Sequence, residues 1–191
     1  AYSKIESVEK IDHINHPTAR EVIRKFGQNK NLEITHVGDL PSRSGIGSSS
    51  AFTVGLITSL SALVKSEFLG RTKLAQLAID IEQNDIGETI GVQDQCASAF
   101  GGLVHITADK EGIKPKRFLV RKEYQSYIES SLLMGFTGRS RFSSVASNKV
   151  NKALKAEKNI NRLEELHEIS QKGIEAFGNE ADIQENALLT K

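Results

Sequence analysis

One stretch constrains this chain more than any other: Leu40-Pro41-Ser42-Arg43-Ser44-Gly45-Ile46-Gly47-Ser48-Ser49-Ser50-Ala51. It is a loop with two glycines and five serines, and it runs directly into an apolar segment from Phe52 to Val64. Phe52, Leu56, Leu60, Leu63 and Val64 recur at helical spacing, so the segment predicts a helix with one face on a core. Ser48, Ser49 and Ser50 suit its N-cap or first turn. That turn leaves backbone N–H groups without internal partners, and the helix dipole makes the same end positive. Gly45 and Gly47 permit torsions and close approaches that a Cβ would block. Free N–H groups, hydroxyls and a positive helix end together form a cradle for phosphate. Taken alone, the loop reads equally well as a serine-rich turn with an ordinary cap. It is not a Walker A loop, because no Lys follows the second glycine and the spacing differs.

With 191 residues, 38% hydrophobic and 26% charged, the chain is long enough for one domain with a core, or one and a half. A formal net charge of +1 gives no general attraction to nucleic acid or acidic membranes, so any anion site must be local. Cys96 is the single cysteine, which excludes a disulfide framework and a cysteine-based zinc site. No apolar run reaches membrane-spanning length, and Ala1-Tyr2-Ser3-Lys4 lacks a basic-then-apolar signal pattern. A cytoplasmic protein is the expectation.

Along the chain, Ala1 to Val8 reads as a short extended piece. Pro17 suits the first turn of a helix through Phe26, with Gly27 as its C-cap. Leu32 to Val37 alternates apolar and polar residues and predicts a half-buried strand. His13, His16 and His36 lack the spacing of a metal site and read as surface or core histidines. A second helix is expected from Thr72 to Glu82, with Leu74, Leu77, Ala78 and Ile81 as its buried stripe. Asp94 then falls near the start of a short helix of small residues that ends at Gly101-Gly102. Leu103 to Thr107 reads as a strand, Lys110-Glu111-Gly112 as a hairpin turn and Phe118 to Val120 as another strand. Ser131 to Phe136 is nearly all apolar and reads as a central strand, with Thr137-Gly138-Arg139-Ser140-Arg141 in the loop beyond it. From Ser143 onward the pattern is helical, with a stripe of Leu163, Leu166, Ile169, Ile174 and Phe177.

Three further residues have the chemistry to join the cradle. Glu82 lies beside the end of an apolar stripe, where a solvated helix carboxylate is the plain alternative. Asp94 lies at a helix start, where Asp commonly serves as an N-cap. Arg141 carries a guanidinium fork suited to phosphate, or is one of two arginines in a polar loop.

The segment Pro41-x-x-x-Gly45-Ile46-Gly47-Ser48-Ser49-Ser50-Ala51 resembles the Pro-x-x-x-Gly-Leu-Gly-Ser-Ser-Ala motif of the galactokinase–homoserine kinase–mevalonate kinase–phosphomevalonate kinase (GHMP) superfamily. Ile46 stands for the commoner Leu, and Ser50 for Ala. The turn Gly91-Val92-Gln93-Asp94-Gln95, the exit Gly101-Gly102-Leu103 and the segment Thr137 to Arg141 resemble the heptose-phosphate kinase branch. The resemblance implies an α+β fold in two layers, a GHMP kinase or ribosomal protein S5 domain 2-like core. Residues 1–136 would be the ATP-binding N-terminal domain and 137–191 the start of a helical C-terminal domain. The chain does not begin with Met, and the flanking glycine motifs of complete members are not found in it. The likeness is therefore to the middle portion of such a protein.

The implied activity is ATP- and Mg²⁺-dependent transfer of a phosphoryl group to a sugar hydroxyl, with a heptose 7-phosphate as the implied substrate. Heptose 1-phosphate, fucose and mevalonate-type alcohols are the alternatives, as is a binding module without turnover. The resemblance assigns the phosphate cradle to Pro41, Gly45, Ile46, Gly47, Ser48, Ser49 and Ser50. It assigns the metal to Ser49 and Glu82, the latter twelve residues before Asp94, and the catalytic role to Asp94. Contacts to the sugar phosphate fall to Asp94, Gln95, Thr137, Gly138 and Arg141, with Gln95 as a residue that simply holds the turn being the plain alternative. The implied partner is a small sugar phosphate, with no nucleic acid and no membrane. A homodimer stays open.

Overall fold

The computed structural model describes residues 5–27, 31–39, 44–65, 67–118, 120–136 and 160–178. Its element order is a 3₁₀ turn (Ile11–His13), α1 (Pro17–Phe26), α2 (Ser48–Lys65), α3 (Arg71–Asp80), a π-helical turn (Ile81–Asp85), α4 (Gln93–Phe100), β1 (Val104–Asp109), β2 (Gly112–Arg117), α5 (Lys122–Ser131) and α6 (Ile160–Gly178). The class is α+β: α1 to α4 pack on one another, and a small antiparallel hairpin lies against α4.

Local chemistry fixes α1 at both ends. His16 accepts a hydrogen bond from the Ala19 backbone N–H at 3.4 Å, and Pro17 opens the helix where a missing N–H costs nothing. Gly27 closes it in the left-handed region at φ 67°, and its N–H returns to the Arg24 carbonyl. Thr18, Glu21, Val22, Ile23 and Phe26 form the buried face. Lys25 reaches across to Asp80 at 2.8 Å and Asp85 at 3.0 Å, tying α1 to the end of α3 and the turn that follows.

The packing centre is α2, which touches α1, α3 and α4. Val54, Leu56, Ile57 and Leu60 meet Val22, Ile23 and Phe26 of α1, Leu74 and Ala78 of α3, and Ile81. Each fully buried aliphatic side chain here contributes about 1.5–3 kcal/mol from apolar burial. Helix α3 is buried on a second side as well. Ala75 and Ile79 pack with Cys96, Val92, Ala99 and Phe100, and with Ile106 and Ile113 of the hairpin. The hairpin itself runs in the register Val104 to Arg117 through Asp109 to Gly112. Ile106 and Ile113 give its inner face, and α4 covers that face. These contacts stack α2, α3 and α4 so that the starts of α2 and α4 come together.

Several sequence expectations are corrected. Residues 32–37 form no strand, and Val37 is 85% exposed. Strand β2 ends at Arg117, so Phe118 to Val120 lies beyond it, with Leu119 outside the described residues. The segment from Ser131 to Phe136 is not a central strand. Ser131 ends α5, and the rest is irregular, with Leu133 98% exposed. Alternation and apolarity mark residues that suit a strand, but a strand also needs a neighbour to pair with, and none is present among the described residues. Helix α3 ends at Asp80 rather than Glu82, and Glu82 lies in the π-helical turn. On α2 the buried stripe runs through Val54 and Ile57 and leaves Leu63 exposed. His16 and His36 flank Phe52, with ring centroids 5.0 and 4.9 Å away, which gives both histidines a packing role.

Candidate functional site

The glycine-serine loop turns on two residues in the left-handed region, Gly45 at φ 84° and Gly47 at φ 72°. The Ala51 N–H donates to the Gly47 carbonyl at 2.9 Å, which makes Gly47 the cap of α2. Ser48, Ser49 and Ser50 form the first turn, and their backbone N–H groups are those that an α-helix leaves unpaired. Gly45, Ile46 and Ser49 are exposed, whereas Gly47 and Ser48 are half-buried. The helix therefore presents its positive end, with hydroxyls, on an open rim.

Asp94 meets this rim. It lies in the first turn of α4 and is exposed. A Cβ built on Gly47 would stand 3.1 Å from Asp94 Cγ, 3.2 Å from its Cβ and 3.3 Å from Oδ2. Glycine at position 47 is thus required twice, by its torsion and by the carboxylate beside it. The acid and Gly47, forty-seven residues apart in sequence, are neighbours in space.

Beneath them lies Glu82, 1% exposed. Three donors converge on its carboxylate. Ser50 Oγ donates to Oε2 at 2.9 Å, Thr53 Oγ1 donates to Oε1 at 2.5 Å, and Gln95 Nε2 donates to Oε2. Ser50 and Thr53 lie three residues apart on one face of α2, and Gln95 follows Asp94 on α4. Gln95 is itself 1% exposed, and its Oε1 is buried without a hydrogen-bond partner. Half-buried Glu88 sits close by, its N–H donating to the Glu82 carbonyl at 2.9 Å. Burial, and then the negative charge of Glu82, raises its carboxyl above the usual carboxylate range.

The structure thus gathers Gly45, Ile46, Gly47, Ser48, Ser49, Ser50, Glu82, Asp94 and Gln95 into one region. Ser49 and Glu82 are expected to share a metal, and Gln95 to meet the sugar. Ser50, not Ser49, is the serine that reaches Glu82, because one residue along a helix is a rotation of about 100°. Gln95 faces inward onto Glu82 and has no open side for a sugar. Magnesium keeps several waters and near-octahedral geometry. A carboxylate this buried, with both oxygens engaged by protein donors, does not fit that need, and Ser49 is exposed on the rim. Among the described residues no group of three or more His, Cys, Asp or Glu could hold a metal ion. Pro41, Thr137, Gly138, Arg139 and Arg141 lie outside the described residues. Thr53 and Glu88 were missed from sequence. The i, i+3 pairing of Ser50 with Thr53 on one helix face was the signal that could have found Thr53.

Comparison with known proteins gives partial matches. Residues 13–102, a little under half of the chain, match the family model described as "GHMP kinases N terminal domain". A stretch of 65 residues, 34% of the chain, is 43% identical to a D-glycero-alpha-D-manno-heptose 7-phosphate kinase of Campylobacter jejuni subsp. jejuni serotype O:2, of which it covers 19%. A stretch of 113 residues, 58% of the chain, is 28% identical to a mevalonate kinase of Archaeoglobus fulgidus, of which it covers 39%. The matched parts thus span about a fifth and two fifths of those relatives' lengths. The likeness to the GHMP kinases is shown over residues 13–102.

Proposed function

From the match of residues 13–102 to the GHMP kinase N-terminal domain, we propose that the protein is an ATP-dependent small-molecule kinase acting on a hydroxyl of a heptose phosphate. The observation that carries this reading is the contact between Gly47 and Asp94. It sets a carboxylate beside a helix end built to receive phosphate. Phosphoryl transfer asks the protein mainly for positioning and for charge at the phosphates. The rim of Gly45, Ile46, Gly47, Ser48, Ser49 and Ser50 would hold the nucleotide's phosphates through backbone N–H groups and the α2 dipole. Asp94 would orient the attacking hydroxyl and take its proton. The new bond joins the sugar oxygen to the γ-phosphorus, the bond from that phosphorus to the β–γ bridging oxygen breaks, and ADP leaves. Mg²⁺ is expected to travel with the nucleotide, and no role in holding it is given to Ser49 with Glu82.

The heptose phosphate rests on the 43% identity to the Campylobacter enzyme. The longer but weaker match to the Archaeoglobus enzyme supports a mevalonate-type alcohol as the second reading. Arg141 is the proposed holder of the phosphate already on the substrate, with Thr137 and Gly138 beside it in the loop. The proposed division into residues 1–136 and 137–191 goes with this reading. No described helix is long and apolar enough to cross a membrane, and a cytoplasmic site of action is part of the proposal.

The test is ATP-dependent phosphate transfer by the full chain to a heptose 7-phosphate, fucose and mevalonate. Turnover of the heptose phosphate, with a KM for it that rises far more than the KM for ATP in Arg141→Ala, supports the reading. Preferred turnover of mevalonate selects the second reading, and nucleotide binding without turnover of any acceptor selects a binding module.

A further inference from the structure

Glu82 is a buried carboxylate on an irregular turn, and it makes contacts with two other elements. Two of its donors, Ser50 and Thr53, belong to the first turns of α2, immediately after the Gly47 cap. The third, Gln95, is the residue after Asp94 in the first turn of α4. These are the two helix starts whose mutual position sets the distance between the glycine loop and Asp94. The Gln95 amide is turned toward Glu82 even though its own Oε1 is left buried and unpaired, which carries a cost. Glu82 lies in the π-helical turn that follows α3, and its side chain reaches α2 and α4.

We propose that Glu82 is a positioning residue: its carboxylate ties the first turns of α2 to the start of α4 and so fixes Gly47 against Asp94. This rests on the kinase reading for its consequence in catalysis, but the tie itself stands on the hydrogen bonds alone. It departs from the expectation that Glu82 ligates Mg²⁺. A Mg²⁺ ion that keeps several waters needs an accessible oxygen, whereas this side chain is 1% exposed and both its oxygens already accept from Ser50, Thr53 and Gln95.

The tie predicts an effect without nucleotide or metal. Amide hydrogen exchange is measured on the full chain in EDTA, for wild type, Glu82→Gln, Glu82→Ala and Thr53→Val. The expected result is exchange faster by about tenfold or more in Glu82→Ala at residues 48–53 and 93–97 together, as local opening of a buried cluster would give. Glu82→Gln should lie closer to wild type, because an amide keeps the shape and part of the bonding. Thr53→Val should loosen the α2 segment more than the hairpin. If exchange in EDTA is unchanged, and differences appear only when Mg²⁺ is added, the tie is refuted and the metal role returns.

Kinetics supply the second arm, at a temperature where every variant is folded. Misplacing reacting groups by an ångström costs about 100-fold. The expectation for Glu82→Gln is a fall in kcat of about 10- to 100-fold, with an unchanged Mg²⁺ concentration for half-maximal rate. A tenfold or larger rise in that concentration, or a wild-type kcat, overturns the proposal. If wild type itself transfers no phosphate, the kinase reading fails, and the exchange experiment alone decides whether Glu82 ties the two helices.

Discussion

Replacing Gly47 with alanine tests the contact on which the site depends, and its cost divides into two parts. The first is conformational. Gly47 has φ 72°, where an L-residue with a Cβ costs about 1–2 kcal/mol. The second is steric. The new Cβ would stand 3.1 Å from Asp94 Cγ and 3.3 Å from Oδ2, so the Asp94 side chain must give by a few tenths of an ångström. Forcing a side chain off its rotamer costs about 0.5–1.5 kcal/mol. Gly45 supplies the control. It has φ 84° but no described atom within 4 Å of its would-be Cβ, so Gly45→Ala carries the first part alone. Urea unfolding of the two variants should therefore differ by about 0.5–1.5 kcal/mol, with Gly47→Ala the less stable. In an Asp94→Ala background, which removes two of the three crowding atoms, that difference should shrink by about half or more. Equal destabilisation by the two glycine variants, or a difference indifferent to Asp94, would refute the placement of the acid against the loop.

Three other outcomes follow from the packing and the charges. Leu60, 2% exposed at the centre of the core, should lose about 2–5 kcal/mol of stability on change to alanine in the same unfolding assay. Lys25 holds the Asp80 carboxyl below its ordinary value, so the tie contributes above the unfolded value of 3.8 and is lost as pH falls through the lower folded value. All three groups are about a third exposed, so Lys25→Met should cost only about 0.5–1 kcal/mol at pH 7, and stability-versus-pH curves should converge below pH 4. Glu88 has the opposite sign. Burial raises its folded value above 4.5, so its ionised form opposes folding at neutral pH. Glu88→Gln should raise the midpoint of thermal unfolding at pH 7, with the gain fading as pH falls through the raised value toward 4.5.

What the sequence made legible was mostly local. Pro17 and Gly27 mark the ends of α1 because each acts through its own torsion. Ser48 to Ser50 mark the start of α2 as residues suited to a first turn, and Lys110-Glu111-Gly112 marks the hairpin through the torsion of Gly112. The partnership of the glycine loop with Asp94 came from a resemblance rather than from periodicity, and the coordinates bring the two together. Strand readings for 32–37 and 131–136 failed because an apolar pattern reports burial preference and carries no information about a pairing neighbour. The choice of Ser50 over Ser49 depended on helix phase, which a run of three serines hides. The inward turn of Gln95 depended on Glu82, thirteen residues away and on a turn whose widening no residue pattern announced.

The most direct test of the central claim is transfer of the γ-phosphate from labelled ATP to a heptose 7-phosphate, followed in the full chain with Asp94 and with Asp94→Asn. The account predicts transfer by the unaltered protein, a loss of about 100-fold or more in the variant, and ATP affinity retained by both. Asp94→Asn protein that transfers phosphate as fast as the unaltered chain would contradict it.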